Sequence, residues 1–190
     1  IPAYNVEKEI FSVIKRIPKE IFKKDTIKIL IINDCSSDNT FKEILKITKK
    51  FKYPFSLHTS KKNLGYGGVQ KYAFTYAIKH RFDFTIMLHG DGQYAPESLP
   101  KIIKKYDNKN IDAVFGSRMI SYKAALKGRM PFYKFIANIS LTFIQNLILG
   151  SKMSEFHSGY RSYNVEALKK TNFERNTNDF HFDTEIIIQM

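Results

Sequence analysis

The stretch TIMLHGDGQ, residues 85–93, decides the fold because it joins a buried strand to a polar turn. Its first four residues are apolar or β-branched, a run that is too short for a helix and typical of a fully buried strand. The turn that follows contains two glycines, which let the backbone bend sharply and approach a ligand closely. It also places a carboxylate, Asp91, at the carboxyl end of the strand, where open α/β sheets bind their ligands. We therefore expect the reaction centre at this turn.

Strand and helix patterns alternate along the chain around this stretch. Further strands are predicted at 27–32, 55–59 and 112–117. Helices are predicted over 6–16, 41–50, 69–80 and 96–106. Such alternation is typical of an α/β fold in which helices cover both faces of a mostly parallel sheet. We therefore predict a single α/β domain.

The length and composition of the chain limit its class. The 190 residues suffice for one domain with a core, and the chain begins and stops inside apolar segments, which predicts a partial domain truncated at both ends. One cysteine, Cys35, excludes an internal disulfide framework and fits a reducing compartment. The formal charge of +13 fits solvated helix faces or, alternatively, an anionic partner such as a membrane surface or a phosphorylated substrate. No nucleic acid is expected, because no DNA- or RNA-binding motif accompanies the charge.

Three further segments carry local predictions. The glycine-rich residues 63–68 precede a helix, and their amides can hold phosphate, although glycines serve equally well in turns. Asp183 is expected to cap the last helix at its N-terminus. Residues 131–150 read as a packed amphipathic helix, with a helix lying in a membrane interface as the alternative. The apolar positions of this helix are Phe132, Phe135, Ile136, Ile139, Phe143, Leu147 and Ile148.

Six short motifs together suggest a family. They are Ile1-Pro2-Ala3-Tyr4-Asn5, Asn33-Asp34-Cys35-Ser36-Ser37-Asp38-Asn39-Thr40, Asn63-Leu64-Gly65, Gly90-Asp91-Gly92-Gln93 with Pro96, Gly116-Ser117-Arg118, and Ser158-Gly159-Tyr160-Arg161. In order and spacing they resemble family 2 glycosyltransferases over essentially the whole chain, and most closely the branch of dolichyl- and polyprenyl-phosphate sugar synthases. The resemblance implies a GT-A (Rossmann-like) catalytic domain. Residues 1–118 would be its nucleotide-sugar-binding half and 119–190 its acceptor-side half.

The resemblance also implies an activity. It is inverting transfer of a sugar from a nucleotide-diphosphate-sugar donor, with UDP favoured, to a polyprenyl-phosphate acceptor, assisted by Mg²⁺ or Mn²⁺. The enzyme would work in the cytoplasm, at the cytoplasmic face of a membrane, in cell-envelope or glycan biosynthesis. Two alternatives stay open. One is transfer to a saccharide hydroxyl, and the other is a nucleotide-sugar-binding module without catalysis, because His89 stands where the family usually carries an acidic residue.

The donor and metal residues follow from the same resemblance. Asp34 would accept a hydrogen bond from the donor base, in a pocket shared with Pro2, Ala3, Tyr4, Asn5, Asn63 and Gly65. Asp91 would hold the cation, Gln93 could add a carbonyl oxygen, and His89 could bind Mn²⁺, contact phosphate or cap the strand.

The acceptor side depends on the acceptor's chemistry. Arg118, Arg129 and Arg161 are candidates for its phosphate, because the guanidinium fork binds phosphate bidentately; Lys127 and Lys134 could assist. A hydroxyl acceptor would need a general base, for which Glu155, His157 and Asp183 are available, with Glu185 as a supporting partner. A phosphate acceptor is already ionised and needs positioning instead. The predicted catalytic residues are therefore Asp91, Arg118, Arg161, Asp183 and His157.

Overall fold

The computed structural model describes residues 1–24, 26–108, 110–117, 119 and 132–190. The strands of this part are β1 (Pro2–Ala3), β2 (Ile29–Asn33), β3 (Phe55–Thr59), β4 (Phe84–Met87), β5 (Ala113–Phe115) and β6 (Arg161–Asn164). The helices are α1 (Ile10–Lys15), α2 (Ile21–Lys24), α3 (Thr40–Lys50), α4 (Gly65–Lys79), α5 (Leu99–Lys105), α6 (Phe132–Leu149), α7 (Val165–Leu168) and α8 (Phe182–Gln189). Short 3₁₀ turns occur at Pro96–Ser98 and Phe173–Arg175.

The strands form two three-stranded sheets. In the first, β1, β2 and β3 are parallel and adjacent in that order. In the second, β6 lies between β4 and β5 and runs antiparallel to both. The Gly90 N–H donates to the Pro2 carbonyl over 3.0 Å, so the turn after β4 lies beside β1. The parallel part was predicted, whereas the antiparallel insertion of β6 was not, because this strand pairs with partners distant in sequence.

Helices pack on both faces of the strands, as predicted. Ile86 of β4 packs against a cluster of apolar side chains from α1, α3 and α5. The next residue, Met87, belongs to a second cluster with side chains from α4, α7 and α8. Neighbouring strand residues point to opposite faces, so these two clusters are the cores on the two sides of β4.

Several predicted helix starts differ from the structure. The helix predicted from residue 69 begins at Gly65. The first helix begins at Ile10 instead of residue 6, since the Val6 N–H donates to Thr40 Oγ1 over 2.8 Å and holds this segment against the start of α3. The prediction that Asp183 caps the last helix is wrong. His181 occupies the N-cap position, and Asp183 lies inside the first turn of α8, where its side chain bonds to other elements.

The packing predicted for α6 is wrong in part. The helix exists, and Phe135 and Ile139 are half-buried, but the fully buried positions among its described side chains are the polar Asn138 and Thr142. Phe143 and Leu147, predicted to pack inward, are 68% and 74% exposed, so the outer face is apolar. Within the described part of the chain, no helix is both long enough and apolar enough to cross a membrane.

Candidate active site

A cleft of about 720 Å³ opens at the carboxyl ends of β1, β2 and β4. This volume lies in the range of about 300–1,000 Å³ that is usual for small-molecule sites. Of the residues assigned from sequence, the cleft is lined by Pro2, Ala3, Tyr4, Asp34, Asn63, Gly65, His89, Asp91, Gln93, His157 and Asp183. The tertiary structure thus brings most of the predicted donor, metal and catalytic residues into one cleft.

Asp34 is buried where β1, β2 and the segment before α4 meet. Its N–H donates to the Ala3 carbonyl over 2.9 Å, which extends the pairing of β1 with β2. Its Oδ1 accepts a hydrogen bond from the Leu64 N–H over 2.8 Å. The side-chain amide of Asn63 donates to the Asp34 carbonyl over 3.3 Å. These contacts fix the Asp34 carboxylate at the cleft wall.

Asn5 does not line the cleft, although the resemblance placed it in the donor pocket. Its backbone is left-handed, with φ of 51°, and its Oδ1 accepts a hydrogen bond from the Ser37 N–H over 2.9 Å. Its own N–H donates to Ser36 Oγ over 3.1 Å. Asn5 therefore holds the turn after β2 against β1.

The turn after β4 orients Asp91. Its Oδ1 accepts a hydrogen bond from the Gln93 N–H over 3.0 Å, a short-range contact typical of aspartate in turns. Gly92 follows with φ of 75°, a conformation that glycine adopts without strain. Gly90 is required by packing, because a Cβ at this position would lie 2.8 Å from the Pro2 carbonyl oxygen.

His89 joins this turn to the segment before β6. Its Nε2 lies 3.2 Å from the Gly159 carbonyl oxygen, and since that oxygen can only accept, Nε2 carries the proton in the tautomer that makes this bond. Burial lowers the pKa of His89, against the opposing effects of Asp91 and Asp183. The imidazole is therefore neutral at pH 7.

The charge of the cleft favours a cation. Four carboxylates line it, from Asp34, Asp91, Asp179 and Asp183, and no Lys or Arg does so among the described residues. Every charged side chain in this described lining is negative, so a diphosphate would be repelled by it unless a cation accompanied it. The described residues contain no group of three or more His, Cys, Asp or Glu arranged to hold a metal. One carboxylate still suits Mg²⁺ or Mn²⁺, because substrate phosphates commonly complete such sites. The residues present therefore fit a cation that is shared with the substrate.

Asp183 is held by side chains from two other elements. Its Oδ2 accepts a hydrogen bond from the Tyr66 hydroxyl over 2.7 Å, and its Oδ1 accepts one from Gln70 Nε2 over 2.9 Å. Arg161 Nε lies 3.3 Å from Oδ2. Burial, followed by the charge of Asp183, raises the pKa of Tyr66, so its hydroxyl stays protonated and donates.

Arg161 is placed differently from the expectation that it binds phosphate. Its side chain is 1% exposed and does not line the cleft. The guanidinium donates to the carbonyls of Ser158, Asp183 and Phe156 over 2.7, 2.6 and 2.5 Å. This arrangement makes Arg161 a support for Asp183 and for the segment before β6, and it does not support direct contact with a phosphate.

The glycine-rich segment does not form a phosphate cradle. Helix α4 begins at Gly65, so these glycines lie within its first turn. The Gly65 N–H donates to Asn63 Oδ1 over 2.9 Å, and the Gly67 N–H donates to the Asn178 carbonyl over 2.7 Å. A Cβ at Gly67 would lie 2.9 Å from the Cβ of Phe182. The glycines thus allow residues 177–182 to approach α4 closely.

The candidate bases separate into two groups. Asp183 and His157 line the cleft. Glu155 is buried beside α6, where its Oε1 accepts a hydrogen bond from Asn138 Nδ2 over 3.0 Å. The supporting residue Glu185 accepts from the Thr177 N–H over 2.7 Å. Arg118, Arg129 and Lys127, together with the side chain of Lys134, lie outside the described residues.

An aromatic wall of the cleft was missed from sequence. Its residues are Tyr66, Tyr94, Phe156 and Phe180. The Tyr94 hydroxyl accepts a hydrogen bond from the Gly159 N–H over 2.7 Å, and the ring of Phe180 lies 4.9 Å from that of Tyr66. Tyr66 and Tyr94 each stand next to a motif glycine or glutamine, a signal that could have identified them. Phe180 gave no such signal.

Comparison with known proteins shows the family of the chain. The family model described as glycosyl transferase family 2 matches residues 1–171. The chain belongs to this family. Its GT-A fold is confirmed by its likeness to a mannosyltransferase, PcManGT from Pyrobaculum calidifontis, solved with GDP-Man and Mn²⁺. The TM-score is 0.58 at 16% identity, over 97% of this chain and 50% of that one.

Curated relatives of this family 2 glycosyltransferase come from archaea and bacteria. It is 31% identical to uncharacterized protein MJ1222 of Methanocaldococcus jannaschii, over 99% of this chain and 72% of the relative. It is 28% identical to the UDP-N-acetylglucosamine–dolichyl-phosphate N-acetylglucosaminyltransferase of Methanococcus voltae, over 89% of this chain and 69% of that relative. The polyprenol monophosphomannose synthase of Mycolicibacterium smegmatis is 23% identical to this chain, over 90% of the chain and 62% of that relative. The chain thus spans about half the length of the solved mannosyltransferase. It spans 72%, 69% and 62% of the lengths of these three curated relatives.

Proposed function

We propose that the protein transfers a sugar, with inversion, from a nucleotide-diphosphate sugar to a polyprenyl phosphate. UDP is the favoured nucleotide, and Mg²⁺ or Mn²⁺ is the cation. The observation that carries this proposal is the single cleft that contains both Asp34 and Asp91 and whose described lining has only negative charges. The family supports sugar transfer, and two relatives whose names contain dolichyl phosphate and polyprenol support the acceptor class.

The donor-side roles follow from the positions in the cleft. Asp34, with Pro2, Ala3 and Tyr4 beside it, would bind the base of the nucleotide. Asp91 and Gln93 would hold the cation, whose charge offsets that of the leaving diphosphate. We keep residues 1–118 as the donor half and 119–190 as the acceptor half of this proposal.

The acceptor-side roles are proposed for a lipid phosphate. Its oxygen is ionised near neutral pH, so positioning and charge compensation carry the rate and a strong base is unnecessary. Arg118 and Arg129 stay predictions for binding this phosphate. We also propose that transfer takes place at the cytoplasmic face of a membrane, where a lipid-linked acceptor is presented.

One observation favours a second candidate function. The Asp183 carboxylate lies in the cleft and is oriented by Tyr66, Gln70 and Arg161. A fixed carboxylate of this kind suits a general base that takes the proton of a sugar hydroxyl. Transfer to a saccharide is therefore the alternative within the same family.

The test is a matrix of donors, metals and acceptors. UDP- and GDP-sugars are incubated with Mg²⁺, Mn²⁺ or EDTA, and with either a short-chain prenyl phosphate or a free saccharide. We expect a prenyl-phosphate sugar of inverted anomeric configuration, formed only with a divalent cation. Preference for the free saccharide would favour the second candidate. Donor binding without turnover on any acceptor would identify a binding module and refute the proposal.

A further inference from the structure

Helix α6 presents an apolar face to solvent, while the fully buried ones among its described side chains, Asn138 and Thr142, are polar. With 3.6 residues per turn, seven of its exposed apolar side chains fall on one side of the helix. They are Tyr133, Ile136, Leu141, Phe143, Ile144, Leu147 and Ile148. A helix of 18 residues is about 27 Å long, so this face is larger than the scattered apolar residues normal on a protein surface.

The inward-facing polar side chains explain why the helix has this orientation. Asn138 Nδ2 donates to Glu155 Oε1 over 3.0 Å, and Thr142 Oγ1 donates to Asn138 Oδ1 over 3.2 Å. Near the other end, Asn146 donates to the Met153 carbonyl and accepts from the Met153 N–H, both over 2.8 Å. Because these polar contacts fix the rotation of the helix, its apolar side must face away from the protein.

We propose that the apolar face of α6 docks on a bilayer that contains anionic lipids. From residue 113 to residue 154 the sequence has no Asp or Glu and contains six basic residues. They are Arg118, Lys123, Lys127, Arg129, Lys134 and Lys152. A segment that is basic in sequence and contains a helix with an apolar face is the combination that holds a protein at an anionic membrane surface. A second copy of the chain fits less well, since it would bring a formal charge of +13 against +13.

The docked helix would bring the cleft close to the lipid surface. Glu155 contacts a buried polar side chain of α6, and the next two residues, Phe156 and His157, line the cleft. The cleft wall therefore lies about one helix diameter, roughly 10 Å, from the outer face of α6. This inference rests on the proposed function only for its purpose, which is access to a lipid-linked acceptor; the docking itself can be measured separately.

The main experiment compares two charge-introducing double variants in vesicle sedimentation. Phe143→Glu with Leu147→Glu alters the proposed face. Phe41→Glu with Leu45→Glu is the matched control, an i, i+4 pair on α3 whose side chains are each 39% exposed. Vesicles of phosphatidylcholine with and without phosphatidylglycerol are used, and circular dichroism checks the fold. We expect the parent and the control to bind the anionic vesicles. We expect the α6 variant to bind them at least about tenfold more weakly.

A second measurement does not depend on a destabilising variant. The chain has no Trp, so Phe143→Trp gives a single reporter on the α6 face, and Leu45→Trp gives its control. We expect only the α6 reporter to shift to the blue on anionic vesicles and to be quenched by brominated lipids. A reporter at position 143 that is already shifted without vesicles would show that protein covers the face, and would overturn the proposal.

Other outcomes separate docking from catalysis. Equal vesicle binding by the α6 variant and the parent, or no binding by the parent, overturns the docking proposal. So does a parent dimer in sedimentation velocity that the α6 variant dissociates. Transfer to a water-soluble short-chain prenyl phosphate tests the proposed function alone. Its absence together with α6-dependent vesicle binding would refute that function and support docking.

Discussion

The Tyr66 hydroxyl donates a hydrogen bond to Oδ2 of Asp183 over 2.7 Å, between residues 117 positions apart in the chain. The contact joins the first turn of α4 to the first turn of α8, and both residues line the cleft. It is possible only because glycines at the start of α4 let residues 177–182 approach the helix. The orientation of a candidate catalytic carboxylate thus depends on a packing contact between distant segments.

Tyr66→Phe should lower kcat with a saccharide acceptor by about tenfold, without a large change in Tm. It should affect kcat with a prenyl phosphate less, because that acceptor needs no base. The substitution removes one donor to Asp183, and a hydrogen bond to a charged group contributes about 1.5–3 kcal/mol. Steady-state kinetics with a prenyl phosphate and with a saccharide acceptor measure the effect. Tyr72→Phe on the same helix is the control, because that ring stacks on His58 outside the cleft lining. Unchanged kcat with both acceptors would show that the orientation of Asp183 does not matter for transfer.

Asp91→Asn should reduce transfer by about a hundredfold or more and weaken its dependence on Mg²⁺ or Mn²⁺. The amide oxygen can still accept the Gln93 N–H, so the turn is expected to persist while the charge is lost. Activity is measured against cation concentration. Asp107→Asn, in the exposed turn after α5, is the matched control. Full metal-dependent activity in the Asp91 variant would remove this residue from the mechanism.

Arg161→Lys should lower the free energy of unfolding by about 1–3 kcal/mol, because lysine keeps the charge but cannot reproduce the hydrogen bonds of the buried guanidinium to three carbonyls and its contact with Asp183. Chemical denaturation measures this loss. A residue that only bound the acceptor phosphate would instead raise KM and leave stability unchanged. That second pattern would contradict a supporting role for Arg161.

Gly67→Ala should destabilise the protein by about 3 kcal/mol, because the new Cβ would overlap Phe182 and the Thr177 carbonyl. Gly68→Ala is the control in the same turn. Its Cβ would lie 3.0 Å from the Cβ of Leu64, a contact that a shift of a few tenths of an ångström relieves. The alanine also favours the helix by about 1 kcal/mol, so we expect a small net effect. Similar thermal unfolding of the two variants would refute the close approach at Gly67.

Local patterns in the sequence predicted what depends on neighbouring residues. The 55–59 strand was predicted with its observed bounds, and the central strand and most helices were placed within a few residues. The motif residues at strand ends converge in the cleft because β1 and β2 end at one edge of their parallel sheet, and the Gly90 N–H joins the turn after β4 to Pro2 of β1. Asp34 and Asp91, one after β2 and one after β4, are the clearest examples.

Contacts between distant segments were beyond the reach of those patterns. The burial of Arg161 depends on the carbonyls around it, and the sequence shows only an arginine after a motif glycine and tyrosine. The rotation of α6 was predicted from its apolar residues on the assumption that they turn inward. The hydrogen bonds of Asn138 and Asn146 turn them outward instead.

The sequence by itself determined the alternation of strands and helices, the positions of the strand-end carboxylates, and the family. Hydrophobic period and turn chemistry are local properties, so they can be read from adjacent residues. The tertiary structure alone decided that Asp183 faces the cleft, that Arg161 supports it from within, and that α6 turns polar side chains inward. Each of these depends on a buried polar group finding its partner far along the chain, and only the folded arrangement determines which partner that is.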